Sequence, residues 1–247
     1  MGRRLGQHFL YQDSILETIA RAACGDHASR VIEIGCGPGT LTRFLLERAG
    51  EVIGIETDPC LAEGLRRRFQ TASAFRLIEG DVLEVDFRPL APAVVCGNIP
   101  YYITGPILRK TLELGPGLIR AVFLVQREVA DRLIARPGSR QYGLLSAAAQ
   151  ALCSVERICA VRAGAFRPPP KVDSAVVRLE PLPSPRVADY AAFLDFAARC
   201  FRHKRKTLRN NLGRADIPFA ERRAEELSVE QLEQARLEWA ARTGMRY

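Results

Sequence analysis

The stretch "VIEIGCGPGTLT", Val31 to Thr42, runs a strand-like pattern straight into three glycines, and that junction limits the fold more than any other feature. A continuous apolar run bounded by glycine reads as a strand covered on both faces, as in a parallel sheet. Gly35, Gly37 and Gly39 follow directly, and glycines there let the backbone approach a ligand at the carboxyl edge of the sheet. The theme repeats along the chain. "EVIGIE", "FRLIEGD", "AVVCGN" and "AVFLVQ" read as further strands. "SILETIARAA", "LTRFLLERAG", "CLAEGLRRRF", "TGPILRKTLEL" and "REVADRLIA" read as helices between or after them. Such alternation predicts an α/β fold with a parallel sheet and helices on both faces. Two later β-branched runs, around 155–161 and 172–179, flank a proline-rich loop and suit an antiparallel hairpin at one edge. Beyond the linker candidate "EPLPSPR" only helical patterns remain. The expected organisation is therefore an α/β domain over residues 1–181 and a small all-helical domain over 182–247.

Composition excludes several classes. No apolar run approaches the roughly 20 residues of a membrane helix, and the first ten residues hold no apolar signal core. The seven cysteines are odd in number and form no C-x-x-C pair. The three histidines are far apart in sequence, so no metal site is expected. These features suit a cytoplasmic protein with reduced thiols. The net charge of +8 favours a polyanionic partner.

The glycine spacing narrows the ligand. A dinucleotide fold wants G-x-G-x-x-G, but Thr40 occupies the last glycine position, and no G-K-[ST] follows for a phosphate loop. The E-x-G-x-G-x-G form resembles the cofactor loop of S-adenosylmethionine (SAM)-dependent methyltransferases. Glu56 ends the second strand, where an acid about 20 residues past the loop can accept from both ribose hydroxyls. Asp81 follows the third strand, placed to accept from an adenine amino group. Features at three successive strand ends point to an adenosyl cofactor, SAM.

"GNIPYY" then follows the fourth strand, on the same sheet edge. The lone pair of adenine N6 is delocalised into the ring, so methylating it requires acceptors on its N–H groups that aim the lone pair at a methyl donor. The side-chain oxygen of Asn98 can be one acceptor, and a carbonyl near Ile99–Pro100 the other, since proline fixes the local turn. Tyr101 offers a stacking face, with base–aromatic stacking worth about 1–3 kcal/mol. Tyr102 reads as a packing residue. Catalysis of this kind is mostly positioning.

"GQHFL", "VIEIGCGPGTLT", "VIGIETDP", "IEGDVLEVDF", "GNIPYYITGPIL", "VFLVQREVADRL" and "FRPPPKVDSAVVRL" together resemble the successive motifs of the KsgA/RsmA family, ribosomal small-subunit RNA adenine-N6,N6-dimethyltransferases. The resemblance runs from Gly6 to about Leu212. It implies a Rossmann-like SAM-dependent methyltransferase domain with a small helical C-terminal domain. It implies that Gln7, His8, Leu10, Gly35, Gly37, Glu56, Asp81, Val82 and Asn98 hold the cofactor. His8 stands where the family often has asparagine, and a histidine can still donate to the cofactor. The catalytic set it implies is Asn98, Pro100, Tyr101 and Phe166, with Phe166 sandwiching the target base against Tyr101.

"RCFRHKRKTLR", Arg199 to Arg209, has six basic residues and no acid. Helical spacing would place Arg202, Arg205, Lys206 and Arg209 on one face and Phe193, Ala197 and Phe201 on another. With Lys204, these cations form the expected RNA-binding set, and "KRKTLRNNL" resembles a motif in the family's C-terminal domain. Arg162, Arg167 and Lys171 add charge near the proposed pocket. The expected partner is small-subunit (16S) rRNA in immature ribosomal subunits, with the protein a monomer. Two other readings compete: a large-subunit rRNA methyltransferase of the erythromycin-resistance type, and a ribosome-assembly factor acting mainly by binding.

Overall fold

The computed structural model describes residues 7–100 and 103–243, which divide into two compact units. The described residues up to Ala130, with Glu156–Glu180, make the first unit. Asp131–Val155 and the residues from Pro181 onward make the second. The single boundary expected after residue 181 therefore leaves out a middle segment, 131–155, that packs with the helical unit.

The first unit holds a two-stranded ribbon and most of a seven-stranded sheet. The sheet strands are β2 (Ala28–Ile34), β3 (Ala49–Glu56), β4 (Phe75–Glu79), β5 (Ala93–Asn98), β6 (Leu118–Gln126), β7 (Cys153–Val161) and β9 (Ser174–Pro181). The ribbon pairs β1 (Phe9–Leu10) with β8 (Phe166–Arg167). Sheet order is β4-β3-β2-β5-β6-β9-β7, with β4 through β6 parallel and β9 antiparallel to β6. β7 and β9 are neighbours at one edge, at the positions expected for the hairpin. The chain winds outward from β2 in one direction and then, from β5, in the other. That reversal creates a crevice at the carboxyl ends of β2 and β5, where open α/β sheets bind ligands.

Local chemistry accounts for the elements that carry the crevice. Val31, Ile32 and Ile34 of β2 are at most 1% exposed, as a central strand requires. α1 (Asp13–Cys24) buries Leu16, Ile19, Ala20 and Ala23, an i, i+3, i+4, i+7 stripe. α3 (Pro59–Arg68) starts with proline behind Asp58, whose carboxylate accepts from Cys60 N at 2.8 Å and Leu61 N at 3.3 Å. Its last turn carries three arginines against the negative helix end. α2 (Thr42–Leu46) and α4 (Thr104–Leu112) also belong to this unit, while α5 (Arg127–Leu133) leads out of it.

The second unit packs α6 (Leu144–Leu152), α7 (Tyr190–Cys200), α8 (Leu208–Leu212) and α9 (Val229–Thr243) around Phe193, Phe196, Leu232 and Trp239. The basic segment is not one helix. α7 ends at Cys200, residues 201–206 form turns, and Thr207 caps α8 through its side-chain oxygen. The cause is Asn211, whose Nδ2 donates to the carbonyls of Cys200 (2.8 Å), His203 (3.2 Å) and Lys206 (3.2 Å). Its Oδ1 accepts from His203 N at 3.2 Å. One amide thus satisfies the backbone groups that a continuing helix would have bonded itself. Phe193 and Ala197 are buried as expected, and Phe201 packs against the same core.

Candidate active site

The crevice is built at strand ends. Its walls include Ile34, Gly35 and Gly37 after β2, Ile55 and Glu56 of β3, Gly80, Asp81 and Val82 after β4, and Asn98, Ile99 and Pro100 at the end of β5. Gln7 and His8 close it from the N-terminal side. The structure thus brings together Gln7, His8, Gly35, Gly37, Glu56, Asp81, Val82, Asn98 and Pro100.

Glu56 anchors the glycine loop. It is 5% exposed, and its Oε2 accepts from Gly37 N at 2.8 Å while Oε1 accepts from Thr57 N at 2.9 Å and Asp58 N at 3.0 Å. A carboxylate has about four lone-pair directions, so one remains for an outside donor. Gly37 has φ 56°, and a Cβ there would lie 2.8 Å from the Phe9 ring, so only glycine fits. Asp81 turns one oxygen back to Leu83 N at 2.9 Å.

One contact of Asn98 has a clear consequence. Its Nδ2 donates to the His8 carbonyl at 2.8 Å. A carbonyl only accepts, so the amide nitrogen must face His8 and Oδ1 must face the other way, as an acceptor. His8 is fixed in turn by its ring Nδ1, which donates to Pro168 O at 2.7 Å. The Pro100 carbonyl accepts from Ile103 N at 3.2 Å and Thr104 Oγ1 at 3.4 Å, closing the turn after β5.

Two expected residues fall elsewhere. Leu10 and Phe166 are not in the crevice. They are paired across the β1–β8 ribbon, 3% and 2% exposed, on its inward face in the hydrophobic core. Strand alternation sends both inward together, and a ring so covered presents no face to a base. Tyr101, with Tyr102, lies outside the described residues. Phe9 is the wall residue that sequence reading passed over. Two residues show no period, so only the pairing of Leu10 inward reveals that Phe9 turns outward.

Glu33, the acid before the glycine loop, is 1% exposed and accepts from Thr42 Oγ1 at 2.6 Å. Burial pushes its carboxyl up from 4.5 to about 7. A raised carboxyl pKa contributes stability that is complete below the unfolded value of 4.5 and lost as pH rises through about 7. Between pH 5 and pH 8 the protein is expected to lose about 2–3 kcal/mol of stability relative to a Glu33→Gln variant. Urea unfolding of both at the two pH values measures this, and parallel pH dependences would contradict it.

The crevice suits an adenosyl sulfonium ligand better than a nucleotide. No lysine or arginine is among the described residues lining it, whereas two carboxylates are. Phosphates would find no cation there, but a cationic, hydroxyl-bearing ligand finds acceptors, and Ile34, Ile55, Val82 and Ile99 offer apolar walls for a flat ring. All seven cysteines are free, and no group of metal-ligating side chains occurs among the described residues.

A sheet that reverses at this crevice, with glycines and acids on successive strand ends, defines a Rossmann-like methyltransferase domain, here with a small helical domain. The model of the family described as ribosomal RNA adenine dimethylase matches residues 2–236. The chain is 43% identical over 255 residues to the ribosomal RNA small subunit methyltransferase A of Synechococcus elongatus, covering 93% of this chain and 91% of that protein. Among solved structures it is similar to a dimethyladenosine transferase from Plasmodium falciparum, with TM-score 0.84 and 28% identity over 96% of this chain and 99% of that one. A 23S rRNA methyltransferase, ErmE, gives TM-score 0.75 and 27% identity over 93% and 98% of the two chains. The chain belongs to the ribosomal RNA adenine dimethylase family.

Proposed function

We propose that this protein transfers methyl groups from SAM to N6 of two adjacent adenosines in small-subunit rRNA, giving N6,N6-dimethyladenosine during ribosome biogenesis. The observation that carries this reading is the Asn98 amide, pinned by the His8 carbonyl so that its oxygen is an acceptor. Bound SAM supplies a methyl on a sulfonium, whose positive charge is lost as the methyl leaves. Asn98 Oδ1 accepts one N6–H, and a carbonyl of the Ile99–Pro100 turn accepts the other, drawing the nitrogen toward tetrahedral geometry. No strong base is needed, and the displaced proton passes to water. In the second round one N6–H remains, and one acceptor suffices to aim the lone pair. Tyr101, one residue past the turn, is proposed to stack on the base. One acceptor direction of Glu56 and the outer oxygen of Asp81 are proposed to hold the adenosyl part.

Identity of 43% to a small-subunit enzyme against 27% to the 23S enzyme supports the small subunit as substrate. Primer extension on both rRNAs after incubation with SAM tests this: stops are expected at two adjacent adenosines of the small-subunit RNA, and stops in large-subunit RNA alone would overturn it.

RNA binding is proposed to rest on the turn between α7 and α8. Arg202, Arg205 and Lys206 are exposed there and make no ion pair among the described residues. Lys204 and Arg209 differ, being tied to Arg140 O at 2.6 Å and Glu221 at 2.8 Å. Neutralising the first three is expected to lower the slope of log affinity against log salt by roughly 2–3, whereas Arg209→Ala alone should change it by less than about 1. Subunit binding at several salt concentrations measures both; equal slopes for the wild type and the triple variant would contradict the assignment.

A further inference from the structure

The ribbon that sends Leu10 and Phe166 into the core presents a second, outward face. Its register pairs Phe9 with Arg167 and Leu10 with Phe166, and Tyr11 N continues the pairing by donating to Ala165 O at 3.2 Å. Alternation then places Phe9, Arg167 and Tyr11 on the outward side. Phe9 lines the crevice. Tyr11 lies two residues further along, about 7 Å in an extended chain. Tyr11 is 44% exposed, and the Arg167 guanidinium carbon stands 5.8 Å from its ring centroid.

An exposed tyrosine held against an arginine, on the ribbon face that carries the crevice residue Phe9, has no packing role to explain it. Leu10, its neighbour, is the residue that ties β1 into the core. Arg162 and Lys171 are also exposed and make no ion pair among the described residues, so the loop around β8 has cations to spare. An aromatic face beside unpaired cations is the combination that binds single-stranded nucleic acid, the base on the ring and the backbone on the charge. Holding Tyr11 against Arg167 also orders the ring before binding, which lowers the cost of stacking.

We infer that Tyr11 and Arg167 form a platform for the nucleotide next to the target adenosine, Tyr11 stacking on its base and Arg167 meeting its phosphate. This rests on the proposed action on rRNA and adds the site that holds the flanking nucleotide. Neither residue is part of the methyl-transfer machinery, so the platform governs substrate affinity and leaves the chemical step alone.

Methylation kinetics on immature small subunits test it with Tyr11→Ala, Tyr11→Phe and Arg167→Ala, alongside SAM binding and a circular-dichroism check of folding. Tyr11→Ala should raise KM for subunits roughly 5- to 150-fold, the range that loss of one base stack gives, with kcat and SAM affinity within about twofold of wild type. Tyr11→Phe should keep the wild-type KM, because stacking needs the ring and not the hydroxyl. Arg167→Ala should raise KM and flatten its salt dependence. A KM for Tyr11→Ala within about twofold of wild type overturns the platform, as does Tyr11→Phe failing along with it. A wild-type protein that methylates no adenosine would instead overturn the underlying functional reading.

Discussion

Asn98→Ala is expected to lower kcat roughly 100- to 1000-fold while changing SAM affinity far less. Removing one preorganised polar group from a transition-state site costs about this much. The variant deletes both halves of the device: the Nδ2 that binds the His8 carbonyl at 2.8 Å and the Oδ1 that this bond turns outward. Asn98→Asp separates them. It keeps acceptors but sets a carboxylate oxygen against a carbonyl, so the side chain must swing away from His8. If orientation by His8 matters, this variant should also be strongly impaired in single-turnover methylation. Wild-type turnover by Asn98→Ala would remove Asn98 from the mechanism.

Gly97→Ala should be the most damaging change to the fold near the site. Gly97 pairs with Ile34 across β2 and β5, and a Cβ there would lie 2.3 Å from the Ile34 carbonyl oxygen. The neighbour is backbone in the middle of the sheet, so it cannot give way as a side-chain tip can. Overpacking of this kind costs about 3 kcal/mol or more. For a chain of this length that corresponds to a drop of about 6–12 °C in the unfolding midpoint of the first unit. The same close approach delivers Asn98 beside Gly35, whose Cβ position is 3.8 Å from the Asn98 carbonyl, so methylation should fall as well. Circular-dichroism melting measures the first effect, and a midpoint within about 2 °C of wild type would contradict it.

Much of this was legible in the residues because strand ends are legible. β2 through β6 follow from apolar runs, and the first four of them, β2 to β5, end at or lead into a residue that lines the crevice: Gly35, Glu56, Asp81 and Asn98. What was hidden depends on contacts between distant segments. The two-residue strands β1 and β8 are too short to show a period, so the inward turn of Leu10 and Phe166 needed their pairing. The basic stretch carries helical spacing, but Asn211 bonds three carbonyls of the turn and stops the helix at Cys200. No local pattern in residues 131–155 shows that they pack with the helical unit. The division of labour among the cations was equally hidden, because Lys204 and Arg209 look like their neighbours until their partners are seen.

The central claim is dimethylation of adenosine N6 in small-subunit rRNA. Nucleoside mass spectrometry of immature small subunits, incubated with this protein and SAM, tests it most directly. N6,N6-dimethyladenosine, mapped to two adjacent positions, is the predicted product. Monomethyladenosine as the only product, or methylation of DNA and not of the subunit, would contradict the account.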